Sequence, residues 1–373
     1  MPPVTPQFIP GLELIGRFYW EAVRPILEAH FPGLTHAVAR LGPGSDVLGF
    51  DTPMSMDHDW GLKLTLFLEE ADSGMAEPVN KSLGMELPFE FMGFPTSFTP
   101  PDGEGTASMQ SATSRPINHA VQVMTTGEYF RRWLGWKIDR PLTVVEWLSI
   151  SSQTLREVTS GAVYYDGTGQ LGRLRQQLAW YPHDVWLYLL ACCWQRIGQE
   201  ELLMPRAGYV GDELGSALIG SRLVRDSMTL CFLMEKQYPP YPKWFGTAYQ
   251  RLASASALAP VLWKVQTAVS WQDRQAALCE AFELLAHKHN ALGITKTLSE
   301  KVEAFYDRPF LVIGGGRFAE ALLAEIADPE VQAVARLGLV GSLDLISDNT
   351  DLRSGLNWRR RLRSLLDPAS EQE

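Results

Sequence analysis

The chain has 373 residues, of which 46% are hydrophobic and 20% are charged. This balance excludes an intrinsically disordered chain and is typical of a globular protein with two domains or one large one. The net charge of −10 argues against a general nucleic-acid-binding protein, because phosphate backbones require clustered cations; a local basic groove is still compatible with it.

The four cysteines lack the paired spacing of a metal site. Cys192 and Cys193 lie in an apolar run that predicts a buried helix, and we expect them, with Cys231 and Cys279, to be reduced core thiols. The N-terminus shows no basic segment followed by a long apolar run, and no stretch approaches about eighteen uninterrupted apolar residues. We therefore expect a cytoplasmic protein without a membrane partner.

The first part of the chain predicts a mixture of strands and helices. Helical spacing of apolar residues predicts a helix over residues 11–30, and a second helix opens at Glu128–Gly135. Strand patterns predict three strands, over residues 36–49 with a turn at Gly42-Pro43-Gly44, over Asp57–Glu69 with alternating leucines, and over Ile117–Thr125. Residues 71–116 are rich in proline and read as irregular, which is typical of a lid or binding loop.

Long apolar-periodic segments, most of them helical in pattern, dominate the chain from about residue 142. They cover residues 142–158, 173–197, 213–237, 243–268, 271–290 and 294–306. We therefore predict one boundary near residue 150, with a first domain over 1–150 and a mainly α-helical domain over 151–373. The tail predicts a strand at Phe310–Ile313, a helix at Phe318–Ile326 and a frayed charged end from Arg359.

Two short motifs in the first domain point to phosphate chemistry. Gly44-Ser45 offers a backbone that can approach a phosphate closely, because glycine has no side chain. Asp57 and Asp59 follow at i, i+2, a spacing that puts both carboxylates on one face of a strand, where they would hold one divalent cation. A phosphate site followed by a metal site indicates nucleotidyl or phosphoryl transfer.

The stretches Gly44–Asp51 and Ser55–Gly61 resemble the pattern of polymerase-beta-type nucleotidyltransferases. More narrowly, the chain resembles the bacterial family called domain of unknown function 4037, thought to be nucleotidyltransferase-like. Matching motifs continue through the helical half, at 161–167, 211–216, 222–226 and 238–245. The resemblance implies an α+β protein, in which a small mixed sheet carries the site and a mostly helical second domain closes over it.

The chain departs from that superfamily at one position. Catalytic members usually carry a third carboxylate on a later strand, and the matching strand here offers Gln122 or His119 instead. Glutamine cannot deprotonate a hydroxyl or supply charge to Mg²⁺. Either Glu128 or an acid of the helical domain replaces the missing group, or the protein binds nucleotide without efficient chemistry.

A basic and aromatic cluster in the helical half is a second candidate site. Arg222 and Arg225 precede a turn, Tyr238-Pro-Pro-Tyr-Pro, that leads to Lys243-Trp244. Arginine forks and a lysine ammonium suit triphosphate oxygens, and aromatic rings can stack on a base. The alternative is a proline-stiffened turn between helices with surface ion pairs, such as Arg222 with Asp226 at i, i+4.

Three further motifs favour structural roles. Asp212 is a candidate helix cap, although a helical-domain general base is the functional alternative. His58-Asp59 resembles the dyad of metal-dependent phosphohydrolases, but the alternation after it is typical of a strand, so we expect His58 on the opposite strand face or in the core. The glycines of Ile313–Ala319 favour a strand-to-helix turn, because too little chain follows for a dinucleotide-binding fold.

Taken together, these patterns predict an enzyme that binds Mg²⁺ or Mn²⁺ with ATP or another nucleoside triphosphate. It would move a nucleoside monophosphate onto a hydroxyl of a small molecule, a protein or RNA. Asp57 and Asp59 would hold the metal, Gly44 and Ser45 the phosphates, and Lys243, Arg222 and Arg225 would neutralise triphosphate charge. The alternative is a catalytically weak or inactive nucleotide-binding module of the same fold.

Overall fold

The computed structural model describes residues 6–103 and 105–368. Within them the chain forms two compact units. The sheet unit comprises Met1–Pro141 with Thr154–Ala179, and the helical unit comprises Leu142–Gln153 with Trp180–Glu373. The predicted α+β class, with a small mixed sheet and a mostly helical second part, is confirmed. No helix in the described ranges is long and apolar enough to cross a membrane.

Secondary structure up to residue 179 mixes short strands with helices. The helices are α1 Gly11–Phe18, α2 Arg24–His30, α3 Ala76–Glu86, α4 Thr126–Leu134, α5 Val144–Ser149, α6 Ser152–Thr159 and α7 Gln170–Gln177. The strands are β1 His36–Arg40, β2 Leu64–Leu68, β3 Glu90–Phe91, β4 Phe94–Pro95, β5 Ser97–Phe98, β6 Met109–Gln110, β7 Val121–Thr125 and β8 Ala162–Asp166. A π-helical turn, Tyr19–Val23, joins α1 to α2, so the predicted helix over 11–30 is confirmed.

Helices dominate the rest of the chain. They are α8 His183–Glu200, α9 Leu203–Tyr209, α10 Glu213–Met234, α11 Pro242–Tyr249, α12 Ala255–Thr267, α13 Trp271–Ala291, α14 Gly315–Ala324, α15 Pro329–Leu337, α16 Leu343–Ile346, α17 Thr350–Ser354 and α18 Leu356–Leu366. Two short strands, β9 Glu303–Ala304 and β10 Leu311–Val312, pair antiparallel. The end predicted to fray from Arg359 is helical to Leu366, and the residues after 368 lie outside the described range.

A four-stranded mixed sheet in the order β7-β2-β1-β8 organises the sheet unit. Strand β1 pairs antiparallel with β2 and β8, and β2 pairs parallel with β7, with Thr65 opposite Gln122. All five residues of β1 and of β2 are buried, so both faces of the sheet are covered. One core cluster joins α1, α2 and α3 to this sheet, with Leu14, Phe18, Leu66 and Leu83 fully buried.

The edge strand β8 corrects the predicted domain boundary. Its residues follow position 150, yet Val163 and Tyr165 pair with Ala39 and Val38 of β1. A single boundary at residue 150 would place β1 and its partner β8 in different domains. Instead, residues 142–153 belong to the helical unit, and the chain then returns to the sheet unit over residues 154–179. The strand escapes sequence reasoning because all five of its residues are half-buried and show no alternation.

Two other predicted segments differ from the structure. Residues 71–116 contain the regular helix α3, in addition to two short strand pairs, β3 with β4 and β5 with β6. Residues 294–306 are not helical: α13 ends before Gly293, whose φ is +63°, and the amide of Asn290 binds the backbone of Leu298 at 2.9 and 3.0 Å. These side-chain contacts hold the segment as a loop before β9.

Helix α8 forms the centre of the helical unit. Its residues from Val185 to Trp194 are all buried, including Cys192 and Cys193. The Trp194 ring stacks on Phe318 of α14 with centroids 4.1 Å apart. The four cysteines are free and buried, as predicted, and burial raises the pKa of the Cys192 thiol to about 12.

Candidate functional site

The glycine loop after β1 is built around a buried ion pair. Arg40, the last residue of β1, donates to Asp46 through Nε at 2.7 Å and Nη2 at 2.9 Å, and also to the carbonyl of Pro43 at 3.0 Å. Gly44 has φ +149°, and a side chain there would collide with both charged groups. The sequence reasoning found the glycine but missed this pair, whose signal was a charged residue at the end of an apolar strand.

A short helical turn follows Gly44. The N–H of Leu48 donates to the Gly44 carbonyl at 3.3 Å, and that of Phe50 donates to the Ser45 carbonyl at 2.8 Å. The N–H groups of Ser45 and Asp46 have no acceptor among the described residues. Free amides at the start of such a turn can receive an anion.

Asp57 and Asp59 lie on a loop, which corrects the predicted strand over 57–69. Strand β2 begins only at Leu64, because Asp59 has φ +52° and Gly61 has φ +111°, neither of which an extended strand permits. The N–H of Asp59 instead donates to the carbonyl of Ala107 at 3.0 Å. The same-face argument for the two carboxylates therefore fails, although both side chains are exposed.

Each of these carboxylates has its own cationic or potentially cationic neighbour. Asp59 Oδ1 accepts from Lys63 Nζ at 2.6 Å, and Asp57 Oδ2 lies 3.0 Å from His58 Nδ1. His58 is thus an exposed loop residue, not a core residue or the opposite face of a strand. Among the residues that the structure describes, no group of three or more His, Cys, Asp or Glu side chains is arranged to hold a metal ion. The hydrolase interpretation gains no support from this geometry.

A cleft of about 560 Å³ in the sheet unit collects several of these groups. Gly44 and Asp59 both line it, whereas Ser45 and Asp57, one and two residues from them in the chain, are not among its lining residues. Other lining residues come from β1, β2 and the residue before it, β5, β7 and α4, namely Arg40, Lys63, Thr65, Phe98, Gln122, Tyr129, Arg132 and Trp133. Sequence reasoning missed Lys63 and Arg132, although Lys63 stands between Leu62 and Leu64, at a polar position of the alternating pattern.

The candidates for the third carboxylate have other roles or other chemistry. Glu128 forms a capping box with Thr125: its Oε2 accepts from the Thr125 N–H at 2.9 Å, and Thr125 Oγ1 accepts from the Glu128 N–H at 3.1 Å. His119 Nδ1 accepts from the Val121 N–H, so Nε2 donates to the Asn80 carbonyl at 3.0 Å, and burial lowers the pKa of His119. Gln122, next to Thr65 in the sheet, is exposed.

The basic cluster of the helical half has a different setting for each residue. Arg222 pairs with Glu200 rather than with the expected Asp226, which instead accepts from Arg196 Nε at 3.2 Å. Arg225 donates to Asp348 at 2.5 Å. Lys243 is exposed and its Nζ lies 5.1 Å from the centre of the Trp244 ring. The arginines share one cavity of the helical unit, which does not include Lys243.

Two structural interpretations of the sequence are confirmed. Asp212 caps α10, with its Oδ1 accepting from the Gly215 N–H at 2.7 Å. The glycines at 314–316 form a turn from β10 into α14, and the buried Glu201 carboxylate accepts from the N–H groups of Ile313 and Gly315 at 2.6 and 3.1 Å. This side chain occupies the position where a dinucleotide-binding turn would receive a phosphate.

Comparisons with known proteins address the family. No curated protein matches the chain. Among solved structures, the crystal structure of a nucleotidyltransferase-like protein from Exiguobacterium sibiricum 255-15 is 12% identical, over 73% of this chain and 76% of that chain, with a TM-score of 0.33. The fold assignment therefore rests on the strand order and register described above.

The model of the family described as "Domain of unknown function (DUF4037)" matches residues 147–245. The matched range contains the motifs at 161–167, 211–216, 222–226 and 238–245, whereas Gly44 and Asp59 lie outside it. The predicted resemblance to the DUF4037 family is confirmed over residues 147–245 of this chain.

Proposed function

We propose that the sheet unit binds a nucleoside triphosphate with Mg²⁺ or Mn²⁺ and transfers a nucleoside monophosphate to a hydroxyl of an acceptor. The acceptor is a small molecule, a protein or RNA. The observation that carries the proposal is the cleft of the sheet unit, which Gly44 and Asp59 line from separate loops, together with Lys63 and Arg132. A glycine of the loop after β1, a carboxylate and cations thus line one cleft.

The donors present fit a metal that arrives with its nucleotide. Mg²⁺ in such sites is usually held through one or two carboxylates and the substrate phosphates, not by a complete protein cage. The carboxylates of Asp57 and Asp59, which are exposed, would supply the protein's share of such a set. When bound, the metal would neutralise phosphate charge and orient the leaving group.

The chain's own contribution is positioning and electrostatic stabilisation. The amides of Ser45 and Asp46 would receive phosphate oxygens beside Gly44, whose lack of a side chain also leaves room for the Arg40–Asp46 pair. Lys63 would add positive charge at the cleft. The assignment of Arg222, Arg225 and Lys243 to the triphosphate rests on residue type alone and stays a prediction.

A second candidate function is nucleotide binding without turnover. It is favoured by the capping box that occupies Glu128 and by the amide of Gln122 at the position expected for a carboxylate. No general base is then available beside the cleft from these two positions. A regulatory module that senses a nucleotide would need only the phosphate and metal contacts.

Calorimetric titration with each nucleoside triphosphate, with and without Mg²⁺, tests the shared basis of both candidates. Metal-dependent binding is expected in the natural protein and is expected to be lost in an Asp57→Asn/Asp59→Asn double variant of unchanged fold. Since both carboxylates are exposed, the variant should unfold at the same temperature. Equal affinity in the two proteins would show that the site is assigned wrongly.

Gln122→Glu separates the enzyme from the binding module. In a lapsed enzyme, the added carboxylate should create release of pyrophosphate in the presence of an acceptor hydroxyl, and Gln122→Asn serves as the matched neutral control. An enzyme that already turns over should lose little activity in Gln122→Asn. If neither the natural protein nor Gln122→Glu releases pyrophosphate with any acceptor, the binding module is the better description.

A further inference from the structure

Two adjoining cavities in the helical unit form a candidate binding site of their own. One, of about 280 Å³, is lined by charged residues of α8, α10 and the segment after α16. The other, of about 340 Å³, lies against the proline turn that leads into α11. Arg225 and Asp348 line both cavities, so this ion pair marks the wall that the two share. Their sizes are in the range of small-molecule sites.

Three arginines converge on the first cavity. Arg222 and Arg225 are three residues apart on α10 and therefore share a helix face, and Arg196 reaches the cavity from α8. Arg196 is held firmly: its Nη1 donates to the carbonyl of Leu345 at 2.7 Å, and its Nε donates to the buried Asp226 at 3.2 Å. A rigid guanidinium is well suited to bind an anion because little freedom remains to be lost.

Each arginine of this first cavity has a carboxylate partner. Asp226 and Asp348, which pair with Arg196 and Arg225, line the cavity, whereas Glu200, which pairs with Arg222, is not among the lining residues. A positive charge at the cavity therefore appears when an anion displaces Asp348 from Arg225. Asp226 is 1% exposed and engaged with Arg196, so it serves to position that arginine. Three guanidinium groups around one small space suit a dianionic phosphate better than a single carboxylate, because several forks can bind different phosphate oxygens.

The Arg225–Asp348 ion pair, which lies between the two cavities, can be broken by an incoming ligand. Both side chains are exposed to solvent, at 40% and 69%. Exposed ion pairs of this kind contribute little to stability and exchange readily with other ions. An incoming anion can therefore replace Asp348 at Arg225, and the same exchange would join the two cavities.

The second cavity has an apolar floor. Pro239, Pro240, Pro242 and Phe245 line it, together with the methyl-bearing side chain of Thr229. Proline rings and a phenylalanine ring present flat apolar surfaces, which suit a flat apolar or aromatic body. The charged groups at its edge belong to Arg225, Asp344, Asp348 and Arg353.

We propose that the helical unit binds a phosphate monoester of an apolar or aromatic alcohol. The phosphate lies among Arg196, Arg222 and Arg225, and the alcohol part lies against the proline turn and Phe245. This inference goes beyond the proposed nucleotidyl transfer and does not depend on it, since every residue involved belongs to the helical unit. It gives Arg222 and Arg225 a ligand other than the triphosphate.

Calorimetry with phenyl phosphate, inorganic phosphate and phenol tests the two compartments separately. Phenyl phosphate should bind at least about tenfold more tightly than inorganic phosphate, because only it fills both cavities. Arg225→Gln should weaken phenyl phosphate about tenfold or more, through loss of a charge-assisted contact. Phe245→Leu keeps an apolar side chain but removes the ring, and should weaken phenyl phosphate while leaving inorganic phosphate unchanged.

Asp348→Asn provides the sharpest test. It removes the carboxylate that competes for Arg225, so phenyl phosphate should bind several-fold more tightly. Glu280→Gln is the matched control, because Glu280 forms an exposed pair with Lys264 outside both cavities. Equal gains in the two variants would reflect net charge alone and overturn the proposal, as would phenyl phosphate affinity that Arg225→Gln leaves unchanged.

The two proposals can fail separately. If no triphosphate binds with Mg²⁺ while phenyl phosphate responds to Arg225→Gln, the cavity proposal stands and the nucleotidyl-transfer proposal falls. If Arg225→Gln weakens only the Mg²⁺–triphosphate complex, the arginine belongs to the triphosphate and the cavity proposal falls.

Discussion

The two candidate sites hold their charged groups in different ways. In the sheet unit, Gly44 lies on a loop that a buried ion pair, Arg40–Asp46, keeps in shape. In the helical unit, Arg196 and Arg225 project from the long helices α8 and α10, whose packing sets their spacing. The comparison indicates that a loop-based site depends on a few specific polar contacts, whereas a helix-based site depends on the fit of apolar surfaces.

The largest expected effect comes from breaking the polar contact that the loop depends on. Asp46→Asn leaves the Arg40 guanidinium buried without its counter-charge; the two side chains are only 9% and 1% exposed. We expect the free energy of unfolding to fall by about 4 kcal/mol, with loss of triphosphate binding. Chemical denaturation followed by tryptophan fluorescence measures the change.

Arg17→Gln is the control for that variant. Arg17 pairs with Glu21 at 3.0 Å on the surface of α1 and the π-helical turn, where both side chains are about half exposed. Its loss should cost no more than about 0.5 kcal/mol. Equal costs for the two variants would contradict the view that the buried pair holds the glycine loop.

The next effect concerns a buried histidine in the helical unit. His289 is fully buried, accepts from Trp194 Nε1 at 3.2 Å, and burial lowers the pKa of His289 from 6.5 to about 4. Below pH 6.5 the imidazole of His289 therefore binds a proton in the unfolded chain, but it stays neutral in the folded chain until the pH approaches 4. The free energy of unfolding should therefore fall by on the order of 3 kcal/mol as the pH drops from 6.5 to about 4. Above pH 6.5 the contribution of the neutral imidazole to stability is complete.

Thermal unfolding of the natural protein and of His289→Gln between pH 7 and 4.5 checks this expectation. The variant should lose the part of the pH dependence that the imidazole causes. His287→Gln, which removes an exposed imidazole two residues away and keeps His289, is the control for the loss of a surface imidazole. A slope that survives in His289→Gln would assign the effect to other groups.

The smallest effect tests the fit of two helices directly. A side chain at Gly315 would meet the carbonyl of Trp194 and lie 2.6 Å from the backbone nitrogen of Gly198, so Gly315→Ala should cost about 2 kcal/mol by overpacking. At Gly316 the nearest atom would be Gln195 Oε1 at 3.6 Å. Gly316→Ala should therefore be neutral or slightly stabilising, because alanine favours helices. Comparable losses in both variants, measured by denaturation, would refute the close approach of α8 and α14.

Sequence patterns predicted the parts of the fold that local periodicity controls. The helix over 11–30, the strands β1, β2 and β7, most helices after residue 170 and the free buried cysteines were expected and are present. The predicted start of β2 was wrong. The alternating leucines do indicate a strand, but the positive φ angles of Asp59 and Gly61 keep the residues before Leu64 from being extended. The hydrogen bond from the N–H of Asp59 to the carbonyl of Ala107 joins residues that are distant in sequence, so no local sequence pattern predicts it.

The candidate site was predicted only in part, for the same reason. Glycine and aspartate types near β1 and β2 were informative, but the partners that position them are not neighbours in sequence: Lys63 and Arg132 meet the cleft through the sheet and α4. Glu128 has the residue type of a catalytic acid, but its carboxylate is engaged in the capping box with Thr125. Residue type alone does not reveal whether a carboxylate is already engaged.

Local propensity, glycine positions and apolar periodicity thus predict the α+β fold class and most of the helices. They can be recognised in the sequence because each acts over only a few neighbouring residues. The pairing of β8 with β1 and the meeting of Gly44 with Asp59 in one cleft required the folded chain. So did the convergence of Arg196, Arg222 and Arg225 on one cavity. These features depend on contacts between distant segments, whose free energy comes from burial and charge pairing that no short stretch of sequence contains.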